Sequence, residues 1–484
     1  LKIKAVYMKL RKAFTGIFAF AVLAWSMCAQ TKETTKNGTI LHCWCWSFKT
    51  IEQNMQKIAD AGFTALQTSP ANTCLVGDSG GLELMSIDTN GKWYYHYQPT
   101  DWKIGNYQLG TRDDFIAMCK EAEKYGIAVI VDVLPNHTTP RKDKIEKDFI
   151  DAVGGMDKLY HEKGLRGIGN WGNRFEVINQ QMGGLPDVNT ENPLFQSYFM
   201  KYMNDLIDCG ADGFRFDTAK HIALPDDPKD EYSPVNNFWL IFTGLEPVGG
   251  VYLKNAKDLF LYGEVLQGGA SREDAYGKYI AVTASSYGGI LRSAIYARKM
   301  SAKGLADWKN DAGAERLVTW IESHDTYANK GESAAMKNFQ LRAGYALIAA
   351  RKDGTPLFFN RPQGAEGVQF PKKPGIDEGI SKIGDIGNDQ FMHPEVSAVN
   401  KFRTAMSGES EELLNGSSLA VLIIKRGEKG VVIINDAEKG SEKIEILLAL
   451  PDGVYKDKAN GLKFKVKDGI LTGKVPHEKI AVIY

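Results

Sequence analysis

The sequence predicts an α/β protein built on a closed (β/α)8 barrel, the TIM-barrel fold, with a small insertion subdomain after strand 3 and a C-terminal all-β sandwich domain. Short β-rich segments alternate with longer amphipathic segments from about residue 39 to residue 403, and such alternation indicates a parallel sheet. Eight strands fit a closed barrel better than an open sheet, and no GxGxxG motif follows the first of them. After about residue 404, strand segments with Gly turns replace the helical pattern, which is typical of a β-sandwich.

The eight predicted strands are short apolar, β-branched runs at 39–46, 63–70, 127–137, 213–218, 259–266, 279–286, 317–325 and 355–362. Amphipathic segments between them end at a Gly in the usual place after a helix, at 50–62, 111–126, 192–210 and 337–354. A long stretch rich in Gly, Asn and Trp separates strands 3 and 4, and a loop of this length is usually functional or a small subdomain. We therefore predict three units: the barrel over 39–137 and 187–403, the insertion over 138–186, and the sandwich over 404–484.

The first 29 residues predict a signal peptide, followed by a linker over 30–38. A short apolar run ends near Cys28, and basic residues precede it at Lys2, Lys4, Lys9, Arg11 and Lys12. This is the pattern of a secretory signal, and the run is shorter than the ~20 residues of a membrane-spanning helix. We expect a secreted protein, with a lipid anchor at Cys28 on the cell envelope as the alternative.

Composition argues against nucleic acid or an anionic membrane as a partner. The chain has 59 basic and 59 acidic residues, which leaves no electrostatic footprint for either. Six cysteines are scattered through the chain and no CxxC pair suggests zinc. We expect no essential disulfide, Cys43 and Cys45 as small buried hydrophobes, no protein partner and a monomer.

Three carboxylates follow predicted strands 4, 5 and 7: Asp217, Glu264 and Asp325. In (β/α)8 barrels the active site lies at the carboxyl ends of the strands, so closure of the barrel would bring these acids together. Each has a simpler explanation when taken alone: a helix cap, a structural ion pair or a turn residue. Burying several like charges at one rim is costly, however, unless chemistry uses their shifted pKa values.

Paired carboxylates suit cleavage of a glycosidic bond, one as nucleophile and one as general acid. Retention requires a separation of ~5–5.5 Å, and neighbouring strands lie ~4.8 Å apart. Arg215 shares a strand face with Asp217 and would keep that carboxylate ionised. Apolar neighbours would raise the pKa of Glu264, which suits the acid.

Five motifs carry a resemblance to a known family. They are DVLPNH (132–137), GLPDVN (184–189), GFRFDTAKH (213–221), YGEVL (262–266) and ESHD (322–325). In this order and spacing they resemble the signature regions of glycoside hydrolase family 13, the α-amylase family, and are most similar to its shorter bacterial secreted members. The resemblance covers the chain from about residue 39 to the C-terminus.

The resemblance implies a retaining endo-hydrolase of α-1,4-glucosidic bonds in starch, glycogen and related α-glucans. Asp217 would be the nucleophile, Glu264 the general acid/base, and Asp325 the group that stabilises the oxocarbenium-like transition state. The implied substrate-binding residues are Trp93, Tyr94, Tyr97, Gln98, His137, Arg215, Lys220, His221 and His324.

The resemblance also implies a structural Ca²⁺ between barrel and insertion. Its ligands would be the side chains of Asn136 and Asp187 and the backbone carbonyl of His221, and such oxygen ligands suit Ca²⁺. By itself Asn136 reads as a turn residue after Pro135. Ser323 stands where chloride-activated relatives carry Asn, which argues against a chloride site.

Three alternatives stay open at this point. A glucanotransferase or a maltose-forming enzyme would use the same acids with different loops. A non-catalytic glycan-binding member usually lacks the acids. A lipid-anchored starch-capture protein would bind glucan whether or not Glu264 is intact.

Overall fold

The structure is a computed structural model that describes residues 32–77, 80–85, 92–233, 235–376 and 378–484. The predicted signal peptide over 1–29, and Cys28 with it, lies outside the described residues. The predicted linker contains a short helix, α1 (32–37). Among the described residues, no helix is long and apolar enough to cross a membrane.

Eight parallel strands close into a barrel in the order β1-β2-β5-β6-β7-β8-β9-β10, which confirms the predicted fold class. Their bounds are β1 Ile40–Cys43, β2 Ala65–Thr68, β5 Ala128–Val133, β6 Gly213–Phe216, β7 Phe260–Gly263, β8 Ala281–Thr283, β9 Leu317–Thr319 and β10 Thr355–Phe359. Each lies inside a predicted segment and is shorter than it. The polar residues at the ends of those segments therefore lie in the loops above the barrel, where active sites of this fold are built.

An antiparallel pair between β2 and the next helix was not predicted. It consists of β3 Asn72–Cys74 and β4 Pro99–Ile104. A 3-10 turn, Trp93–Tyr97, precedes β4 and brings its aromatic residues over the barrel.

The barrel helices surround the strands. They are α2 Phe48–Gln53, α3 Met55–Asp60, α4 Arg112–Lys124, α8 Pro193–Cys209, α9 Phe238–Phe242, α10 Glu273–Tyr276, α11 Ser285–Tyr296, α12 Ala302–Ala306, α13 Asn338–Ala350 and α14 Pro394–Ala405. The helix predicted over 50–62 is divided at Asn54, whose side chain donates to the Thr50 carbonyl at 2.8 Å. α8 begins with an Asn192 cap and Pro193 and ends at Gly210 with φ 111°, a left-handed conformation that glycine adopts without strain.

The insertion contains three short helices, α5 Lys147–Ala152, α6 Met156–Leu159 and α7 Arg174–Asn179. After α14 the chain forms two four-stranded antiparallel sheets, in the orders β11-β12-β13-β18 and β14-β17-β16-β15. Their bounds are β11 Glu411–Asn415, β12 Val421–Arg426, β13 Gly430–Asn435, β14 Ser441–Leu447, β15 Gly453–Lys456, β16 Lys463–Lys467, β17 Ile470–Pro476 and β18 Lys479–Ile483. The all-β C-terminal domain is thus confirmed, while the exact domain boundaries stay predictions.

The first of these sheets is buried on both faces. Alternate residues such as Leu422 and Ile424 join the core of the barrel, whereas Val421 and Ile423 join the core between the two sheets. Because side chains in a strand alternate between faces, β12 reads as a continuous apolar run.

Candidate active site

A cavity of about 580 Å³ opens at the carboxyl ends of the barrel strands. It is lined by all the predicted catalytic and substrate-binding residues except Arg215, which lies beneath it. A second cavity, of about 550 Å³, lies near the amino ends of β5 and β6 and includes Asp212 and Cys209. Because the predicted acids line the first cavity, that one is the candidate active site.

Arg215 is buried and contacts three carboxylates. Its Nη1 donates to Asp132 at 2.8 Å and to Asp217 at 2.5 Å, and its Nη2 lies 3.0 Å from Glu264 Oε2. Asp217 and Glu264 therefore bind different nitrogens of one guanidinium at the ends of adjacent strands β6 and β7. The contact that the sequence predicts between Arg215 and Asp217 is present, and the surroundings of Glu264 are more polar than predicted.

Asp132 belongs to this cluster although no role was predicted for it. It stands opposite Arg215 in the register of β5 and β6, is fully buried, and accepts a hydrogen bond from Tyr97 Oη at 2.9 Å. Burial raises the pKa of Asp132, and the Arg215 guanidinium opposes that shift. Its place in the DVLPNH motif, at the level of Arg215, was the signal that could have identified it.

Glu264 is held by the backbone that follows the predicted nucleophile. Thr218 has φ 48° and ψ 32°, a left-handed conformation that is costly for a β-branched residue. This conformation aims the Thr218 N–H at Glu264 Oε2, at 3.1 Å. Burial raises the pKa of Glu264, the nearby Asp217 and Asp325 carboxylates add to the shift, and Arg215 opposes it.

Asp325 lines the cavity, although alternation along a continuous strand would place it on the face opposite Glu322 and His324. β9 ends at Thr319, so Asp325 lies beyond the strand, at the start of a helical turn over Asp325–Asn329. Its carboxylate accepts from Asn329 Nδ2, and burial raises its pKa. Glu322, the other acid of this segment, is instead buried in an ion pair with Arg361 at 2.7 Å.

An aromatic and imidazole surface faces the acids. The rings of Tyr97 and His324 stack at 4.9 Å with an angle of 17°, and buried Trp93 packs edge-on against both. His137 Nε2 donates to the Tyr97 carbonyl at 3.0 Å and lies 3.9 Å from Asp217. Burial lowers the pKa of His324 to about 3 and also lowers that of His137, so both rings are neutral hydrogen-bonding groups.

Tyr94 and Gln98 lie at the edge of this surface. Tyr94 is partly buried and packs edge-on against Trp93. The Gln98 side-chain oxygen accepts from Thr139 Oγ1 at 3.3 Å. Both residues line the cavity, as the predicted substrate-binding role requires.

The opposite side of the cavity carries Lys220 and His221. Lys220 Nζ donates to the Gly268 carbonyl at 2.8 Å, and His221 Nδ1 donates to the Val177 carbonyl at 2.7 Å. Trp171 and Leu266 also line the cavity and are among the lining residues that the sequence did not single out. Trp171 is 48% exposed, and an exposed Trp in the Gly-rich insertion was the available signal.

The predicted calcium ligands lie between barrel and insertion. Asp187 Oδ2 receives a hydrogen bond from His161 Nδ1 at 2.6 Å, while His161 Nε2 lies 3.0 Å from Glu191. Burial alone lowers the pKa of His161, but these hydrogen bonds outweigh it and raise that pKa to about 10. No sequence motif pointed to His161 or Glu191.

The oxygen donors present fit a calcium ion. Asp187 Oδ1 is buried and has no hydrogen-bond partner among the described residues, and the nearby Asn136 side chain acts to lower the pKa of the same carboxyl. Within the described ranges no group of three or more His, Cys, Asp and Glu side chains could hold a metal. A site here therefore depends on a carboxylate, an amide and a backbone carbonyl, which are donors that Ca²⁺ accepts.

The described cysteines are buried free thiols. They are Cys43, Cys45, Cys74, Cys119 and Cys209. Cys43 and Cys45 are apolar core residues of the barrel, as predicted.

Fold and site together define a (β/α)8-barrel protein with a carboxylate-rich cleft of the glycosidase type. The family model described as "Alpha amylase, catalytic domain" matches residues 46–282. The chain is 46% identical over 481 residues to an α-amylase of Butyrivibrio fibrisolvens, covering 94% of this chain and 48% of that protein. It is 35% identical over 457 residues to an α-amylase of Clostridium acetobutylicum, covering 93% and 54%. The chain belongs to the α-amylase family, as its motifs predict, and spans about half the length of these two relatives.

Solved structures share the fold. A mutant α-amylase I of Eisenia fetida in complex with maltohexaose matches with a TM-score of 0.70 at 19% identity, covering 92% of this chain and 97% of that chain. An Anoxybacillus α-amylase matches with a TM-score of 0.65 at 22% identity, covering 93% and 98%.

Proposed function

We propose that this protein is an α-amylase that hydrolyses internal α-1,4-glucosidic bonds of starch and glycogen with retention. The observation that carries the proposal is the arrangement of acids: Asp217 and Glu264 contact the same arginine, and Asp325 lines the same cavity. Family membership supports α-glucan as the substrate class.

Each acid has a step that its surroundings favour. Asp217 attacks the anomeric carbon, and Arg215 at 2.5 Å binds and orients its carboxylate. Glu264, whose pKa burial raises, gives its proton to the departing oxygen and then takes one from the attacking water. Asp325 stabilises the positive charge that develops on the sugar in between.

The sugar is positioned by the groups opposite the acids. The Tyr97–His324 stack offers a flat face for the ring that is cleaved. Neutral His137 and His324 can hydrogen-bond sugar hydroxyls without adding positive charge near the oxocarbenium-like transition state. Asp132 and Tyr97 hold Arg215, and through it the nucleophile, in place.

The proposal is tested by reducing-sugar release from soluble starch. Asp217→Asn is expected to lose about 10⁴-fold or more in kcat, because an amide cannot form the glycosyl-enzyme. Glu264→Gln should bind maltoheptaose and leave it intact. Full activity of Asp217→Asn would overturn the mechanism. A ladder of disproportionated products without net gain of reducing ends would identify a glucanotransferase, and equal glucan capture by wild type and Glu264→Gln with negligible turnover would identify a binding protein.

We further propose that Asn136, Asp187 and the His221 carbonyl bind a structural Ca²⁺ that joins insertion and barrel. The unpaired buried oxygen of Asp187 supports this. Chelation should lower the melting temperature, and Asp187→Asn should lower calcium affinity in calorimetric titration. Asp151→Asn, an exposed acid of the same insertion, is the matched control, and equal affinity of both variants would remove the site.

We also propose export, with the basic and apolar stretch before residue 29 as the signal. N-terminal sequencing of protein from the medium tests cleavage. Membrane-bound protein that Cys28→Ser releases would establish the lipid anchor instead.

A further inference from the structure

We infer that Arg174 is a positioning residue that fixes the leaving-group wall of the cleft, defined by Trp171, Lys220 and Leu266. The inference rests on the proposed function. Arg174 lies on α7 of the insertion, and its guanidinium is directed under the loops that follow β6 and β7.

These three residues form the leaving-group side because they lie close to Glu264, the proposed general acid. A general acid protonates the departing oxygen, so the departing sugar lies beside Glu264 on the side away from the Tyr97–His324 stack. Lys220 donates its backbone N–H to the Glu264 carbonyl at 3.2 Å, and Leu266 follows Glu264 by two positions.

Arg174 joins the two acid-bearing loops by their backbones. Its Nη1 donates to the carbonyl of Lys220 at 2.9 Å and to that of Ala270 at 3.1 Å. Lys220 follows the nucleophile on one loop, and Ala270 follows the acid on the other. One nitrogen of Arg174 therefore bridges the two loops.

The remaining nitrogens of Arg174 anchor it. Nε and Nη2 bind the buried Asp227 carboxylate at 2.9 and 2.6 Å, and Nη2 also lies 2.6 Å from Tyr276 Oη. The Tyr276 hydroxyl in turn contacts the Lys220 and Ile222 carbonyls at 3.1 and 2.6 Å. Only a planar guanidinium offers donors in this many fixed directions, and a lysine ammonium cannot replace it.

Trp171 depends on the same assembly. Its carbonyl accepts from the Ala270 N–H at 3.2 Å, and the Lys220 ammonium lies 5.9 Å from the centre of its ring. The exposed face of Trp171 and the Lys220 side chain thus form one surface of the cleft. Arg174 stabilises this surface through its hydrogen bonds to the Lys220 and Ala270 carbonyls.

The simpler reading is that Arg174 is only an ion-pair partner of Asp227. Arg272 provides the matched control, since it binds the same carboxylate at 2.5 Å and also pairs with Asp226. Among the described contacts, the Arg272 side chain reaches neither the Lys220 nor the Ala270 carbonyl. A purely structural role predicts similar effects for both arginines.

The test compares two substrates in the full chain. When maltoheptaose is cleaved, the departing glucose units lie against the leaving-group wall. When p-nitrophenyl α-maltotrioside is cleaved at its aryl bond, the departing group is only the small p-nitrophenol, and no glucose unit lies against that wall. We expect Arg174→Lys to lose about 10- to 100-fold in kcat/KM on maltoheptaose, because the displaced wall no longer positions the departing glucose units, and less than about 3-fold on aryl release. Arg272→Met should change neither substrate selectively.

Tyr276→Phe is a milder variant that removes one hydroxyl from the same assembly, and it should show a smaller loss with the same selectivity. Equal losses on both substrates, or no loss in Arg174→Lys and Tyr276→Phe, would overturn the inference. Absence of cleavage of either substrate by the wild type would instead overturn the proposed function.

Discussion

At the scale of single residues, Arg215 determines how the acids of the cleft differ. It touches Asp132, Asp217 and Glu264 within 3.0 Å, and it acts to lower the pKa of Asp132 and of Glu264. Burial acts in the opposite direction and raises the pKa of Glu264. In the proposed mechanism, the nucleophile Asp217 is thus held by a cation, next to an acid, Glu264, whose pKa is raised.

We expect Asp132→Asn to lower kcat by about 10- to 100-fold with little change in KM, because Arg215 would lose a charged partner and shift from Asp217. Tyr97→Phe removes only the hydroxyl that bonds Asp132 and should cost less. Steady-state kinetics on maltoheptaose measure both. A larger loss in Tyr97→Phe than in Asp132→Asn would contradict this role for Asp132.

As the proposed general acid, Glu264 should set the alkaline side of the pH profile through its raised pKa. The acid form is required, so activity persists below the raised pKa and falls as pH rises through it. The alkaline limb of kcat/KM should therefore lie well above the ~4.3 of a free Glu. The fluoride ion of α-maltosyl fluoride leaves with little need of a proton from a general acid, so the hydrolysis of this substrate should lack the alkaline limb. A limb near pH 5 with starch, or an equal limb with the fluoride, would count against Glu264 as the acid.

At the scale of elements, two acids that follow the same strand, β9, have different surroundings. Glu322 and Asp325 stand in one four-residue motif, yet Glu322 pairs with Arg361 after β10, while Asp325 turns into the cavity. The reason is that β9 already ends at Thr319, so the side chains after it no longer alternate between the two faces of a strand.

This difference predicts opposite effects for two substitutions. Glu322→Gln should lower the free energy of unfolding by about 3–5 kcal/mol, since it leaves Arg361 buried without its partner, and the folded fraction should keep its kcat. Asp325→Asn should lower kcat by about 10²- to 10³-fold with little change in melting temperature. Denaturation and kinetics on both variants measure this, and reversed effects would refute the assignment.

At the scale of the whole molecule, the sandwich shares the core of the barrel. Buried Arg426 on β12 donates to the Arg351 and Met406 carbonyls at 3.1 and 2.7 Å. Leu422 and Ile424 pack with the barrel helices. The two domains are therefore expected to unfold together.

Calorimetry tests this expectation. One transition should be observed. Ile424→Ala on the barrel-facing side and Ile423→Ala on the sandwich-facing side should each move this transition to lower temperature and reduce the free energy of unfolding by about 2–5 kcal/mol. Two separate transitions, with each variant affecting a different one, would show that the domains unfold independently.

The sequence by itself determined the barrel, its eight strands, the all-β C-terminal domain and the three acids that line the cleft, because strand–helix alternation and the order of the motifs are read directly along the chain. It also placed Arg215 beside Asp217, since two residues on one strand face must be neighbours. Tertiary structure alone decided the rest. The contact of Arg215 with Glu264, the bridge from His161 to Asp187 and Glu191, and the span of Arg174 across two loops join residues that are distant in the chain. No local pattern encodes them, because they exist only once the barrel closes and the insertion folds onto it.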